Sequence, residues 1–195
     1  MRCPAFWTST VRDLSLHLLD LAQNSITAGA DLVTVRMTLA EDGVLTMQLE
    51  DDGKGMSPEL LARVTSPFAT TRTTRKVGLG IPMMKENAEK AGGTFQLEST
   101  EGQGTILTCT MDTHNIDCLP MGDLSGTLLS LMLTNPLHPD FLFEGKSPKG
   151  EGSFDTREVR ATLGSDIPFN EPSVAAWLKE ALEEEINAIF GGVLI

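Results

Sequence analysis

Between Val11 and about Ala28 the apolar residues Leu14, Leu18, Leu21 and Ala22, with Ser25, recur at helical spacing, and Gly29 ends the run. An amphipathic helix over 11–28 is predicted. A second stripe runs beside the first, because Asp13, His17, Asp20, Asn24 and Thr27 lie three or four residues apart and so share a face. Period two takes over in "LVTVRMTLAEDGVLTMQLEDDG". Val33, Val35, Met37 and Leu39 alternate with polar residues, Glu41-Asp42-Gly43 supplies a turn, and Leu45, Met47 and Leu49 resume the alternation. This pattern predicts a hairpin with one apolar face. It also puts Asp51 on that face, where a carboxylate is costly unless something donates to it.

Pro58 opens a short helical run to Val64, and "TSPFATTRTTRKVGLG" follows with few apolar positions, the composition of a loop. Pro82 suits the first turn of the next helix and Gly92-Gly93 its end. Thr94 to Ser99 and Thr105 to Met111 alternate around "TEGQGT", a second strand pair. Helix, hairpin, loop, helix and hairpin in this order predict an α/β sandwich, a mixed sheet with helices on one face. Past residue 112 the character changes. "GDLSGTLLSLMLTNP" reads as a helix, "DFLFE" as a strand, and "GKSPKGEG" as a polar turn before a return strand near Gly152 to Asp155. In "NEPSVAAWLKEALEEEINAIF", Asn170 is the expected N-cap of a last helix with Val174, Trp177, Leu178, Ala181 and Leu182 on one face. The chain thus divides into residues 1–112 and a small α+β C-terminal extension, 113–195, of helix, strand hairpin and helix.

Composition narrows the function classes. A chain of 195 residues with 41% hydrophobic and 22% charged positions can bury a core. The net charge of -12, from 15 Lys and Arg against 27 Asp and Glu, argues against nucleic acid and anionic membranes as partners. An anionic ligand must therefore be met by a local cluster. No apolar run approaches the roughly 20 residues of a membrane span, and the N-terminal stretch lacks a signal-peptide core, so the cytoplasm is the expected location. Cys3, Cys109 and Cys118 have no metal-ligand spacing and read as reduced thiols.

Three clusters carry candidate chemistry. Asp51-Asp52-Gly53-Lys54-Gly55 combines a buried acceptor with glycines that admit a planar base, so Asp51 could accept from an exocyclic amine; the same pattern also suits a plain hairpin-end turn. Asn24 offers a neutral oxygen for a phosphate-held magnesium ion, and Asp20, one turn earlier, could orient or deprotonate a nucleophile, although a solvated polar stripe has the same spacing. His17 reads as pairing with Asp13 or Asp20 rather than as a phosphoacceptor. Arg72, Arg75 and Lys76 form a basic patch, and Gly78 and Gly80 lead into a helix N-terminus suited to polyphosphate, or into an ordinary start of a helix. The sequence has no GxxxxGK[ST], which excludes a P-loop.

Taken together, residues 11 to 112 resemble the ATP-binding domain of the superfamily of DNA gyrase, Hsp90, histidine kinases and MutL (GHKL), which implies a Bergerat-type ATP-binding fold. "DLAQN" stands at the N box, implying Asn24 as magnesium ligand and Asp20 as catalytic carboxylate. "DDGKG" resembles the first glycine box, with Asp51 accepting from the adenine amine and Gly53 and Gly55 beside the base. "PFATTR" resembles the opening of the lid, with Thr70, Thr71 and Arg72, and Arg75, Lys76, Gly78, Leu79 and Gly80 follow through "GLGI", the second glycine box. "GQGT" resembles the last box, which implies Thr105 near the adenine. Asp20 is one methylene shorter than the glutamate usual at its position, so binding is expected on firmer grounds than hydrolysis.

The chain shows neither a dimerisation helix with a phosphoacceptor histidine nor a tail long enough for the gyrase or MutL transducer, and in size it is nearer to serine kinases of the anti-sigma type. "LSLHLLDLAQNSITAGA", "TSPFATTRTTRKVGLGIP", "FDTREVRATLG" and "PFNEP" are more closely similar to small stand-alone histidine-kinase-like ATP-binding proteins of anaerobic bacteria, whose genes tend to lie near hydrogenase-type subunits. The resemblance implies ATP and Mg2+ as cofactors and a protein partner. A component of a hydrogenase-type redox system and a second copy of the chain are the candidates. Three activities are expected as alternatives: a protein kinase, an ATP-gated binding module without catalysis, and a slow ATPase.

Overall fold

The structure, a computed structural model, describes residues 13–65, 80–164, 166–191 and 193. Its elements are α1 (Leu14–Thr27), β1 (Leu32–Leu39), β2 (Val44–Asp51), α2 (Pro58–Val64), α3 (Gly80–Lys90), β3 (Phe95–Thr100), β4 (Gly104–Asp112), α4 (Leu124–Thr134), β5 (Asp140–Ser147), β6 (Gly150–Asp155), α5 (Thr156–Leu163) and α6 (Pro172–Phe190). The strands form one six-stranded sheet in the order β3-β4-β2-β1-β5-β6. β1 and β5 are parallel and every other neighbouring pair is antiparallel, so the sheet is mixed as predicted.

Alternation decides which face is covered. Val33, Val35, Met37, Leu45, Met47, Leu107, Cys109 and Met111 point to the helices and are almost fully buried. Each fully buried aliphatic side chain here contributes roughly 1.5–3 kcal/mol. On the opposite face Arg36 reaches across three strands, donating to Glu144 at 2.6 Å, to Gln48 at 3.0 Å and to Glu50. That face remains half-exposed, and such a cluster adds little stability in contact with water.

The C-terminal segment completes this same sheet and core. Phe141 and Phe143 of β5 bury against α6, which packs on α4, and α4 packs on α1. The connecting chain also closes the first turn of α1: Leu14 and Ser15 donate their backbone N–H groups to Pro120 and Met121, and Asp13 caps Leu16 at 2.9 Å.

Several local expectations change. The β5–β6 turn is tighter than predicted, since β6 begins at Gly150 and only Pro148 and Lys149 lie between the strands. α6 is capped by Glu171 and not by Asn170, with the Glu171 carboxylate accepting from Ser173 N and Val174 N. Pro172 at the first helical position puts the cap one residue before itself. Trp177, expected on the core face, is half-exposed beside Phe154, with ring centroids 6.5 Å apart. α5, capped by Asp155, is an additional helix.

Candidate functional site

At the end of α1, the strands β2, β4 and β3 frame a cavity of about 220 Å³. Leu49, Leu97 and Leu107 come from the strands, Leu60 and Val64 from α2, and Ile81 from the start of α3. A slot with such apolar walls accepts a flat, weakly polar group. Into this setting the last residue of β2 brings a carboxylate. Asp51 is 8% exposed, and the donor that its position demands is Ser25, whose hydroxyl donates to Asp51 Oδ2 at 2.6 Å. Gly53 N donates to Oδ1 at 3.0 Å. Both partners are neutral donors, and two of the roughly four lone-pair positions of the carboxylate stay open.

The glycines around Asp51 serve close backbone packing. Gly55 has φ +63°, and a Cβ there would overlap the Thr100 carbonyl; Gly104 has φ +111°, and a Cβ there would overlap the Asp51 carbonyl. Gly53 sits against Ala28 and Asp51. The loop is pinned on both sides, by Lys54 N donating to Ala28 O at 3.1 Å and Gly102 N donating to Lys54 O at 2.8 Å. Asp52 faces away and accepts from Asp31 N and Leu32 N, which fixes the start of β1.

Of the residues singled out in the sequence, Asn24, Asp51, Gly55 and Thr105 line the cavity together. Thr105 lies opposite Asp51 in the β2–β4 register and contacts Ser99 Oγ at 2.9 Å. Asn24 and Asp20 are exposed on α1, and Asp20 lies against Gly80, where a Cβ would collide with its carboxylate. Thr70, Thr71, Arg72, Arg75, Lys76, Gly78 and Leu79 lie outside the described residues. Among the described residues no group of three or more His, Cys, Asp and Glu side chains could hold a metal ion.

His17 departs from expectation. It is buried, and its partner is neither Asp13 nor Asp20 but Asn87 of α3, with Asn87 Nδ2 2.9 Å from His17 Nε2. Burial lowers its pKa below 6.5, while Asp20 and Asp13 pull the other way. Ser25 is the site residue that the sequence pattern concealed, because its helical spacing places it among the core positions. Its signal was a hydroxyl in an apolar stripe, the complement of a carboxylate in an apolar strand face.

The model of the histidine kinase-, DNA gyrase B-, and HSP90-like ATPase family matches residues 10–115. The chain is similar to the sensor histidine kinase ZraS of Escherichia coli (strain K12), 33% identical over 96 residues that cover 49% of this chain and 20% of that protein. It is also similar to the non-motile and phage-resistance protein of Caulobacter vibrioides, 32% identical over 110 residues covering 51% of this chain and 13% of that protein. The chain therefore spans a fifth or less of the length of these curated relatives. Among solved structures, that of the N-terminal domain of a DNA repair protein superposes on 93% of this chain and 58% of its own, with TM-score 0.52 and 15% identity. At that identity the likeness is one of fold, and its coverage extends past the matched domain into the C-terminal segment.

Proposed function

The chain belongs to the histidine kinase-, DNA gyrase B-, and HSP90-like ATPase family, and from that premise we propose that it is a Mg-ATP-binding regulatory protein, a histidine-kinase-like or anti-sigma-like kinase or ATPase acting on a protein partner. The observation that carries this reading is Asp51, a buried carboxylate at the wall of an apolar slot, held by two neutral donors with lone pairs to spare. That donor set fits an adenine base, whose exocyclic amine needs an acceptor and whose faces need apolar walls.

In this reading Asp51 and Thr105 recognise the base, and Gly53, Gly55 and Gly80 keep the backbone close around the ligand. Asn24 would lend its side-chain oxygen to a magnesium ion bound with the nucleotide, since a hard cation of this kind takes few protein ligands. Thr70, Thr71, Arg72, Arg75, Lys76, Gly78 and Leu79 would hold the phosphates from the lid. Bound Mg-ATP supplies a transferable γ-phosphoryl group. The part left to Asp20 is to orient an acceptor hydroxyl, or to take its proton, at the open face of α1. Among the described residues no helix is long and apolar enough to cross a membrane.

A second reading, an ATP-gated binding module, is favoured by Asp20 itself. Its short side chain lies against Gly80 at the start of α3, where it can couple helix position to the ligand without turnover. Incubation with Mg and γ-labelled ATP, alone and with cell extract, separates the two. A labelled protein band that is lost in Asp20→Asn supports the kinase. Tight binding with neither label nor released phosphate refutes it in favour of the module.

A further inference from the structure

A hydroxyl has a single proton, so its direction can be assigned from its partners. Ser25 gives its proton to Asp51 Oδ2. Ser99, which does not itself line the cavity, makes three contacts of 2.9 Å: to the Gly104 carbonyl, to Thr105 Oγ1, and from Met56 N. A carbonyl only accepts, so the Ser99 proton goes to Gly104. The contact with Thr105 is then a hydrogen bond in which Thr105 donates, and its proton points away from the cavity. At the exposed rim Thr27 donates to Gln23 O at 2.8 Å, and among the described lining residues Asn24 and Lys54 have side chains able to donate. Deeper in, Asp51, Ser25 and Thr105 all present lone pairs.

We propose that Ser99 is a specificity-determining residue: by committing the Thr105 proton it completes an acceptor-only wall, which takes a purine with a 6-amino group and turns away one with a 6-oxo group. An amine brings two protons and finds acceptors for both. A carbonyl oxygen in the same place meets lone pairs with no proton between, and a buried polar group left unpaired in this way is what gives a site strong discrimination. Ser99 acts through Thr105, so it is a positioning residue. The inference rests on the nucleotide reading above.

The test is the ratio of dissociation constants for inosine triphosphate and ATP, with Mg, on the full chain. Ser99→Ala frees the Thr105 proton to turn inward, and the ratio should fall about threefold to tenfold. Ser99→Thr should restore it. Thr105→Val removes the lone pair itself, so it should lower the ratio alone and make Ser99→Ala silent on top of it; this holds the inference to account even if Ser99→Ala does not fold. Equal weakening of both nucleotides by Ser99→Ala, with the ratio unchanged, would reduce Ser99 to a tether for Met56 and overturn the proposal. Binding of neither nucleotide by the unaltered protein would overturn the nucleotide reading, and this inference with it.

Discussion

Two aspartates mark the two halves of the sheet, and their surroundings differ in kind. Asp140, at the start of β5, accepts from Arg160 Nε at 2.7 Å and from Thr156 Oγ1 at 2.9 Å. Thr156 Oγ1 in turn accepts from Phe141 N, while the Arg160 guanidinium lies 4.0 Å over the Phe169 ring and donates to Pro136 O at 3.3 Å. Asp51, at the end of β2, has a hydroxyl and one backbone N–H as its partners among the described residues, and it faces a cavity. A carboxylate matched by a cation is consumed in holding elements together. One held by neutral donors beside open space retains something to offer a ligand. Asp51 is the more buried of the two, yet it is Asp140 that has the cation, so the kind of partner and not the depth of burial separates their roles.

The largest break in this comparison comes from the structural side. Arg160→Leu leaves Asp140 without its cation and with one hydroxyl, and stability should fall by about 2–4 kcal/mol, read as a shift in the urea midpoint at pH 7. ATP affinity, measured well below the transition, should be unchanged. A loss below 0.5 kcal/mol would place Asp140 among carboxylates that do not need their cation. Asp51→Asn should do the reverse. Its stability should stay within about 1 kcal/mol of the original, because the amide oxygen still accepts from Gly53 N and the Ser25 hydroxyl can turn to accept from the amide nitrogen that replaces Oδ2, while ATP binding weakens by about tenfold to a hundredfold through loss of a carboxylate acceptor. Retained affinity would remove Asp51 from the base site. Ser25→Ala falls between them, with about 1 kcal/mol lost in stability and a several-fold weaker ATP dissociation constant by calorimetry; an effect on stability alone would make Ser25 a core residue and nothing more.

How far the sequence discloses these two environments depends on range. Asp51 is conspicuous because period two puts a carboxylate among Leu45, Met47 and Leu49, and its need for a donor follows at once. The donor lies 26 residues away on another element, and only the fold brings it there. His17 finds Asn87 across 70 positions in the same way, whereas its neighbours in sequence suggest carboxylates. α5 has only Thr156 and Val159 buried over its 8 residues, too few to set up a helical period against Arg157, Glu158 and Arg160. The Glu171 cap, by contrast, was legible in Pro172, whose preference for the first helical position outranks the general preference for asparagine.

The same distinction between neutral and charged partners extends to a titrating group, and there the effect is smallest. Asn87 can donate to His17 Nε2 only while that nitrogen is unprotonated, so the buried ring is neutral, with its proton on Nδ1. Burial holds the folded pKa below 6.5, the value of the free side chain, against the opposing pull of Asp20 and Asp13. Between the folded and unfolded pKa values the unfolded chain binds more protons. The contribution of His17 to stability is therefore fully present above pH 6.5, declines as pH falls below it, and levels off under the folded pKa. The slope in that window cannot exceed about 1.4 kcal/mol per pH unit for one proton. His17→Gln keeps a partner for Asn87 but does not titrate, so urea unfolding from pH 5 to 8 should show a shallower acid limb than in the unaltered protein. Identical limbs would mean that Asn87 turns its amide oxygen to a protonated ring, and that the α1–α3 contact tolerates charge after all.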